Sequence, residues 1–328
     1  MDVERLRAWT YGRQRLGRAA RGGAAALSDV IGVYSSHPTA PLSLHARAAK
    51  LDAAAFRKLD AVRLPAMRQS IHLLPRRTAH LAFRATPAPA SDRAKRFRYF
   101  ELTDARYEEL RPQILKAARE PLTQDELREA TGADAKELKG VSAQLTRDGE
   151  LVRVAAGGLR SNELRYVAAE IADADPDEAL AWLAGEYLRA FGPARAKDFT
   201  WWAGVGATRA KAALAQHDTE ELDDGLLILA KDAGAFEKAE PVKGAVDLIP
   251  KWDCFQMGYA PDGRDRFAHP DVVKRCYDFR GDGRPVILVD GAAAGTWERM
   301  QPEFFERATK KVRDAVERRL DEIRAFLG

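Results

Sequence analysis

Four consecutive polar residues near the N-terminus have side chains that hydrolytic chemistry could use: Tyr34, Ser35, Ser36 and His37. The imidazole of His37 could act as a general base, because the ordinary pKa of histidine lies close to neutral pH. Ser36 could then hold a water molecule or a phosphate, and Tyr34 could stack on a base or a sugar. A structural interpretation is also open, in which Tyr34 is a core aromatic, Ser36 caps a helix and His37 touches a DNA backbone.

Basic side chains form the second group of candidates, and they are concentrated at the N-terminal end. The first 100 residues contain 19 Lys and Arg against 6 Asp and Glu, whereas the rest of the chain contains 34 against 43. Of the 19 cations, 16 are arginine, whose planar fork fits phosphate oxygens and guanine edges. A chain end polarised in this way predicts a surface that binds nucleic acid. The residues expected to contact DNA are Arg13, Arg15, Arg18, Ser35, Arg47, Arg68, Gln69 and His72. For His72 a structural role is an equally good interpretation.

The residue types that a metal, cofactor or membrane site needs are missing or badly spaced. Cys254 and Cys276 form no CxxC pair, and His37 and His45 have no carboxylate partner at ligand spacing. We therefore predict no metal ion and no cofactor. No apolar stretch approaches the roughly 18 residues of a membrane span, and the N-terminus has no signal-peptide core. With so few cysteines, these features favour a cytoplasmic protein without membrane contact, nucleoid-associated when bound to DNA.

The elements that would position these residues are clearest in the middle of the chain. Asp104 begins a helical pattern, within which Pro112 predicts a kink or a break. Thr123 and Asp134 each start a further helix, since both are followed three positions later by a glutamate. The predicted strands of the hairpin that follows are 151–154 and 164–167. Helix, helix, helix and hairpin is the element order of a winged helix-turn-helix.

Related element orders are predicted on both sides of this unit. Upstream, the predicted helices lie near 2–10, 24–34, 41–49 and 52–61, and the hairpin strands are 64–68 and 70–74. Downstream, Asp175 caps a helix, two short helices follow, and residues 226–229 form a strand. Trp201 and Trp202 are predicted to be core residues rather than a stacking platform. The predicted C-terminal elements are a strand at 246–249, a hairpin of 286–289 with 292–297, and a helix at 302–327.

These elements predict an α+β, mainly helical fold with three tandem winged-helix domains, a small β module and a closing helix. The first winged helix, with the basic face and hairpin, is expected at 1–100. The second is expected at 101–172, the third at 173–238, and the β module with its helix at 239–328.

Several segments, taken in order, match one known family. Residues 67–73 read Met-Arg-Gln-Ser-Ile-His-Leu, 248–253 read Leu-Ile-Pro-Lys-Trp-Asp, and 257–259 read Met-Gly-Tyr. Val-Asp-Gly and Gly-Thr-Trp then begin and end residues 289–297. In this combination the chain resembles the AlkZ/YcaQ-type winged-helix DNA glycosylase family. The resemblance implies a C-shaped stack of three winged helices around a basic channel that binds double-stranded DNA.

The resemblance also implies an activity, namely cleavage of the N-glycosidic bond of bulky N7-alkylated purines during DNA repair. Such a purine is cationic and leaves readily, so the enzyme must mainly stabilise an oxocarbenium-like sugar and position a water. In the family, two glutamines, or a glutamine and an aspartate, flank one apolar residue and do this work. Tyr34 and Ser36 stand at the corresponding positions here, in a register anchored by Pro38 and residues 40–44.

Two functions are therefore carried forward. The first is a monomeric DNA-binding protein of the glycosylase superfamily that hydrolyses alkylated purines with Tyr34, Ser36 and His37. The alternative is a non-catalytic winged-helix DNA-binding protein, such as a damage sensor or a regulator. The absent glutamines favour the alternative, whereas the hairpin motif and the match along the whole chain favour the first.

Overall fold

The computed structural model describes residues 2–36, 38–155 and 157–328. The α-helices are Val3–Arg13 (α1), Gly23–Asp29 (α2), Thr39–His45 (α3), Ala53–Arg57 (α4), Arg76–Ala85 (α5), Ser91–Phe100 (α6), Asp104–Ala117 (α7), Gln124–Thr131 (α8), Ala135–Asp148 (α9), Pro176–Phe191 (α10), Ala196–Ala203 (α11), Ala207–Leu214 (α12), Ala230–Phe236 (α13), Cys254–Met257 (α14), Pro270–Val273 (α15) and Lys310–Leu327 (α16). The strands are Val33–Tyr34 (β1), Ala61–Pro65 (β2), Ile71–Pro75 (β3), Leu151–Ala155 (β4), Leu164–Ala168 (β5), Thr219–Leu222 (β6), Leu226–Leu229 (β7), Val246–Ile249 (β8), Val286–Val289 (β9), Ala292–Thr296 (β10) and Glu303–Phe304 (β11). The chain is thus a mixed α/β protein with a large helical share.

Helix starts follow the predicted caps. The Thr123 hydroxyl accepts from the Glu126 amide while the Glu126 carboxylate accepts from the Thr123 amide, which completes a capping box at α8. Asp134 and Asp175 cap α9 and α10 through their side chains. Of the predicted kink or break near Pro112, the break is wrong, because α7 continues through the proline. Pro112 lies on the exposed side of α7, where water can bond the carbonyl that the proline leaves without a donor.

A five-stranded sheet joins two regions that the sequence analysis treats as separate units. Its strand order is β1-β3-β2-β4-β5, and neighbouring strands are antiparallel. The hairpin of β2 and β3 meets the hairpin of β4 and β5 through the pairing of Arg63 with Arg153. The predicted helix at 24–34 is shorter than expected, since α2 ends at Asp29 and the chain then enters β1. That change places Tyr34 on a sheet edge.

Two further sheets complete the β structure. β6 pairs with β7, and β11-β10-β9-β8 form a four-stranded sheet against which α16 packs. The predicted helix at 302–327 begins later than expected, because residues 303–304 form β11 and Thr309 caps α16 through the Val312 amide.

The largest hydrophobic cluster is centred on α10 and its neighbours. Tyr187, Phe191 and Trp202 stack with ring centroids 5.0–5.3 Å apart. Trp202 is therefore a core residue, as predicted, whereas Trp201 is only half-buried. Among the described residues, no helix combines the length and the apolar character needed to cross a bilayer.

Candidate nucleic-acid interface

Tyr34 lies at the edge of the five-stranded sheet, directly opposite His72 of β3. The two residues are register partners, and their ring centroids lie 4.7 Å apart. Gly32 allows β1 to approach β3, because a Cβ there would lie 3.0 Å from the Leu73 carbonyl oxygen and 2.6 Å from a Leu74 methyl carbon. Tertiary packing therefore fixes the position of the Tyr34 ring.

His72 is buried and neutral at physiological pH. Desolvation lowers the pKa of its imidazole to about 4, and the charge of Arg68 adds to this effect. The Nδ1 atom lies 2.9 Å from the Ser70 carbonyl oxygen. Because a carbonyl can only accept, Nδ1 carries the proton and donates it, which leaves Nε2 as an unprotonated acceptor.

The phenol of Tyr34 stays protonated. Burial raises the pKa of Tyr34, and this outweighs the opposing effects of the Arg68 charge and of a hydrogen bond with Ser70. At neutral pH Tyr34 can therefore offer a hydrogen-bond donor and an aromatic face, but not a phenolate base.

Ser36, two residues further on, faces a cavity of about 640 Å³. The hydroxyl oxygen of Ser36 is buried and has no hydrogen-bond partner among the described residues. The cavity is lined by Ser36, Pro38, Thr39, Leu42, Arg160, Asn162, Pro250, Lys251, Trp252, Pro285, Trp297, Arg299 and Met300. These residues include three cations and no acid, so the cavity combines apolar walls with a positive rim.

Trp252 connects this cavity with Tyr34. Its indole centroid lies 6.3 Å from that of Tyr34, and the Lys251 ammonium lies 4.2 Å from the indole centroid. Trp252 has a left-handed backbone with φ of 59°, and its amide donates to the Gly283 carbonyl oxygen. A bulky residue takes this conformation only where its surroundings impose it, as functional sites often do.

Asp253 and Arg47 hold the Trp252 segment in place from behind. Both side chains are completely buried, and the Arg47 guanidinium donates two hydrogen bonds of 2.7 and 2.8 Å to the Asp253 carboxylate. The Asp253 carboxylate also caps α14 through the Phe255 amide. The prediction that Arg47 contacts DNA is therefore wrong, because its guanidinium is paired and shielded from solvent.

Comparison with known proteins agrees with this geometry. A model of the DNA glycosylase AlkZ-like family matches residues 31–326. The chain belongs to this family. The fold is also similar to that of the Streptomyces sahachiroi DNA glycosylase AlkZ, with a TM-score of 0.79 and 20% sequence identity. That match covers 99% of this chain and 97% of the AlkZ chain. No curated protein matches the chain in sequence.

The N-terminal arginines of this AlkZ-like chain are largely paired with acids. Hydrogen bonds or ion pairs of 2.7–3.0 Å join Arg13 to Asp232, Arg15 to Asp29 and Arg18 to Glu322. None of the three arginines lines the cavity beside Ser36. Their contact with DNA stays a prediction, and it would require these pairs to open or to share the guanidinium.

Three other predicted contacts lie close to Tyr34. The Ser35 amide donates to the Ile71 carbonyl oxygen, so the backbone at Ser35 continues the sheet. Arg68 is exposed at the tip of the β2–β3 hairpin, and the adjacent Gln69 side chain donates to the Thr86 carbonyl oxygen. His37 lies outside the described residues, so its predicted role as a base stays a prediction.

Sequence reasoning missed several residues of the candidate site. Lys251 and Trp252 could have been found, since they lie within the family-like segment 248–253. Arg160 follows Gly157 and Gly158 in the loop between β4 and β5, where a glycine pair indicates an exposed tip. Arg299 has no comparable local signal, because only the tertiary structure brings it to the cavity.

Proposed function

We propose that the chain binds double-stranded DNA and hydrolyses the N-glycosidic bond of an alkylated purine, as a step in DNA repair. The observation that carries this proposal is the cavity beside Ser36. It has a buried hydroxyl without a partner in the described part of the chain, an indole wall at Trp252, and cations at Arg160, Lys251 and Arg299. An unstacked base needs an apolar, aromatic surface, and the phosphates beside it need positive charge.

The proposed reaction requires little acid catalysis of the leaving group. A purine alkylated at N7 is already cationic, so the barrier lies in stabilising the sugar cation and orienting a water. Ser36 would hold that water, and His37 beside it would accept a proton from it. The protonated Tyr34 would support the sugar or the neighbouring phosphate through its hydroxyl.

The domain arrangement belongs to the same proposal. Three winged helices, at 1–100, 101–172 and 173–238, would line a C-shaped channel, with residues 239–328 closing one end. The element order α7, α8, α9, β4 and β5 supports this assignment for the second unit, and α10, α11, α12, β6 and β7 support it for the third. We expect a monomer acting on the nucleoid in the cytoplasm.

One observation favours a second candidate, a non-catalytic DNA-damage sensor or regulator. Tyr34 and Ser36 stand where the resemblance places amide or carboxylate groups, and Tyr34 is packed against His72. A site that has lost both amides could recognise a lesion without releasing it.

The experiment combines binding with product formation on one duplex that carries a single N7-methylguanine. Anisotropy at two salt concentrations measures binding, and strand scission after alkali measures abasic sites above the rate without protein. The proposal predicts salt-dependent binding and abasic product. Binding without product, also on a bulkier nitrogen-mustard adduct, would support the sensor instead. No binding to any duplex would contradict both.

A further inference from the structure

We propose that Arg68 and Arg264, which both lie against the Trp201 ring, form a binding site for one backbone phosphate of DNA. This inference rests on the proposed DNA binding and adds to it a specific anion site outside the cavity beside Ser36. Its parts come from the β2–β3 hairpin, α11 and the segment after α14, which are distant in sequence.

Arg264 carries a buried positive charge without a carboxylate partner. The residue is 4% exposed, and no acid of the described chain lies within ion-pair distance of it. Its guanidinium carbon lies 3.9 Å from the Tyr277 ring centroid and 5.1 Å from that of Trp201. Its Nε makes one long hydrogen bond, of 3.4 Å, to the Tyr259 carbonyl oxygen. A buried charge is costly when no counter-charge accompanies it, so this arrangement favours an anion supplied from outside.

Arg68 is held beside Arg264 by the shape of the hairpin tip. Arg68 and Gln69 both have left-handed backbones, with φ of 55° and 57°. The tip packs against the end of α11, where a Cβ on Gly204 would lie only 2.9 Å from the Arg68 Cα. The guanidinium carbon of Arg68 then lies 4.1 Å from the Trp201 centroid. The hairpin therefore aims an exposed cation at the aromatic surface that Arg264 also touches.

The positive charges of the two guanidinium groups together favour the binding of an anion. Burial lowers the pKa of Arg264, and repulsion from the Arg68 charge adds to this effect. The charges of Arg68 and Arg264 both act to lower the pKa of Tyr34, against the larger opposing effect of burial. An arginine guanidinium can donate two hydrogen bonds to phosphate oxygens, and contact with an aromatic ring helps to orient it.

A phosphate of the DNA strand fits this region better than free phosphate does. The ring of Tyr34, whose hydroxyl interacts electrostatically with both arginines, lies 6.3 Å from the ring of Trp252, which lines the cavity beside Ser36. A strand with its damaged nucleotide in that cavity would carry a neighbouring phosphate past Tyr34. The site would thus hold the strand in register without reading its sequence.

The test measures duplex affinity against salt for R68Q, R264Q and the double variant, with R318Q as the matched control. Arg318 is exposed on α16 and does not line the cavity beside Ser36. Each single variant should weaken binding by about 10-fold and lower the salt slope by about one. Because both arginines would hold the same phosphate, the double variant should lose less than the product of the single effects.

The outcomes separate this inference from the function on which it rests. If the wild-type protein binds no duplex, the proposed function and the phosphate site both fail. If it binds and R68Q and R264Q match R318Q, only the phosphate site fails. R68Q keeps the test valid should R264Q not fold, since Arg68 is exposed. In a second arm, thermal stabilisation by inorganic phosphate that R264Q abolishes, with duplex affinity unchanged, would assign the site to free phosphate and overturn the inference.

Discussion

At the scale of single residues, the account depends on side chains that hold others in place. Asp253 neither lines the cavity nor reaches solvent, yet it fixes the backbone that carries Lys251 and Trp252. Its only ionic partner in the described chain is Arg47, which comes from the other end of the sequence. Loss of either charge leaves the other buried and alone.

Asp253→Asn should therefore lower the free energy of unfolding by about 3–5 kcal/mol, measured by urea denaturation. Asp60→Asn is the matched control, because Asp60 pairs with Arg76 on an exposed surface and should change stability by less than about 1 kcal/mol. Equal effects of the two substitutions would mean that the buried pair does not hold the Trp252 segment.

Two buried histidines make stability depend on pH. Desolvation lowers the pKa of His45 from 6.5 to about 4, with Arg18 adding to the effect, and burial does the same for His72. Between pH 6.5 and 4 these two histidines are protonated in the unfolded chain but stay neutral in the folded chain. Stability should therefore fall as the pH drops through this range and level off above it.

His45→Gln tests this directly, since His45 stacks on Phe326 and does not line the cavity beside Ser36. The free energy of unfolding of the variant should fall less steeply with decreasing pH, by up to roughly 1.4 kcal/mol per pH unit. Parallel curves for variant and wild type between pH 6.5 and 5 would contradict the assigned neutral state of His45.

The residue scale is also where sequence reasoning is least complete. Composition indicates a basic protein, but it does not separate Arg47, which is buried against Asp253, from Arg68, which is exposed. Nothing local distinguishes Trp201 from Trp202, although one borders a pair of arginines and the other lies in the core. Tertiary contacts decide these differences, such as the one between Arg47 and Asp253, which are 206 positions apart.

At the scale of elements, the tip of the β2–β3 hairpin is positioned by one glycine of α11. Gly204 ends α11 with φ of 73°, and its missing Cβ makes room for the Arg68 backbone. Gly132 ends α8 in the same left-handed conformation, but a Cβ there would meet nothing within 4 Å. Substitutions at Gly132 and Gly204 therefore distinguish the cost of backbone strain from the cost of close packing.

Gly132→Ala should cost about 1 kcal/mol of stability, from the left-handed backbone alone. Gly204→Ala should cost roughly 2–4 kcal/mol, because overpacking adds to that strain, and it should weaken duplex binding by displacing Arg68. Thermal unfolding and anisotropy measure the two effects. Equal stability and equal affinity for the two variants would show that the hairpin tip does not depend on α11.

Elements with local signals are the ones that sequence predicts well. Thr123, Asp134 and Asp175 begin helices where their capping patterns indicate. β1 and β11, of two residues each, and the acidic strand β6 depend on partners elsewhere in the chain. The predicted helices at 24–34 and 302–327 accordingly cover the positions of β1 and β11.

At the scale of the whole molecule, folding redistributes the charge that the sequence concentrates at one end. Acids from later segments, such as Asp232 and Glu322, pair with N-terminal arginines. The cations around the cavity come instead from separate segments, as Arg160, Lys251 and Arg299, and none has a carboxylate within ion-pair distance in the described chain. The sequence thus predicts a DNA-binding family, whereas the position of the positive surface can be found only from the fold.

The central claim is that Ser36, at the edge of this cavity, takes part in hydrolysis of the N-glycosidic bond. The single-turnover excision rate on a duplex that carries N7-methylguanine tests this claim most directly. The comparison is wild type, Ser36→Ala and the exposed control Ser91→Ala, each with DNA fully bound. We predict that Ser36→Ala lowers the rate of abasic-site formation by at least about 100-fold, while Ser91→Ala leaves it unchanged. Equal rates for all three proteins would contradict the claim.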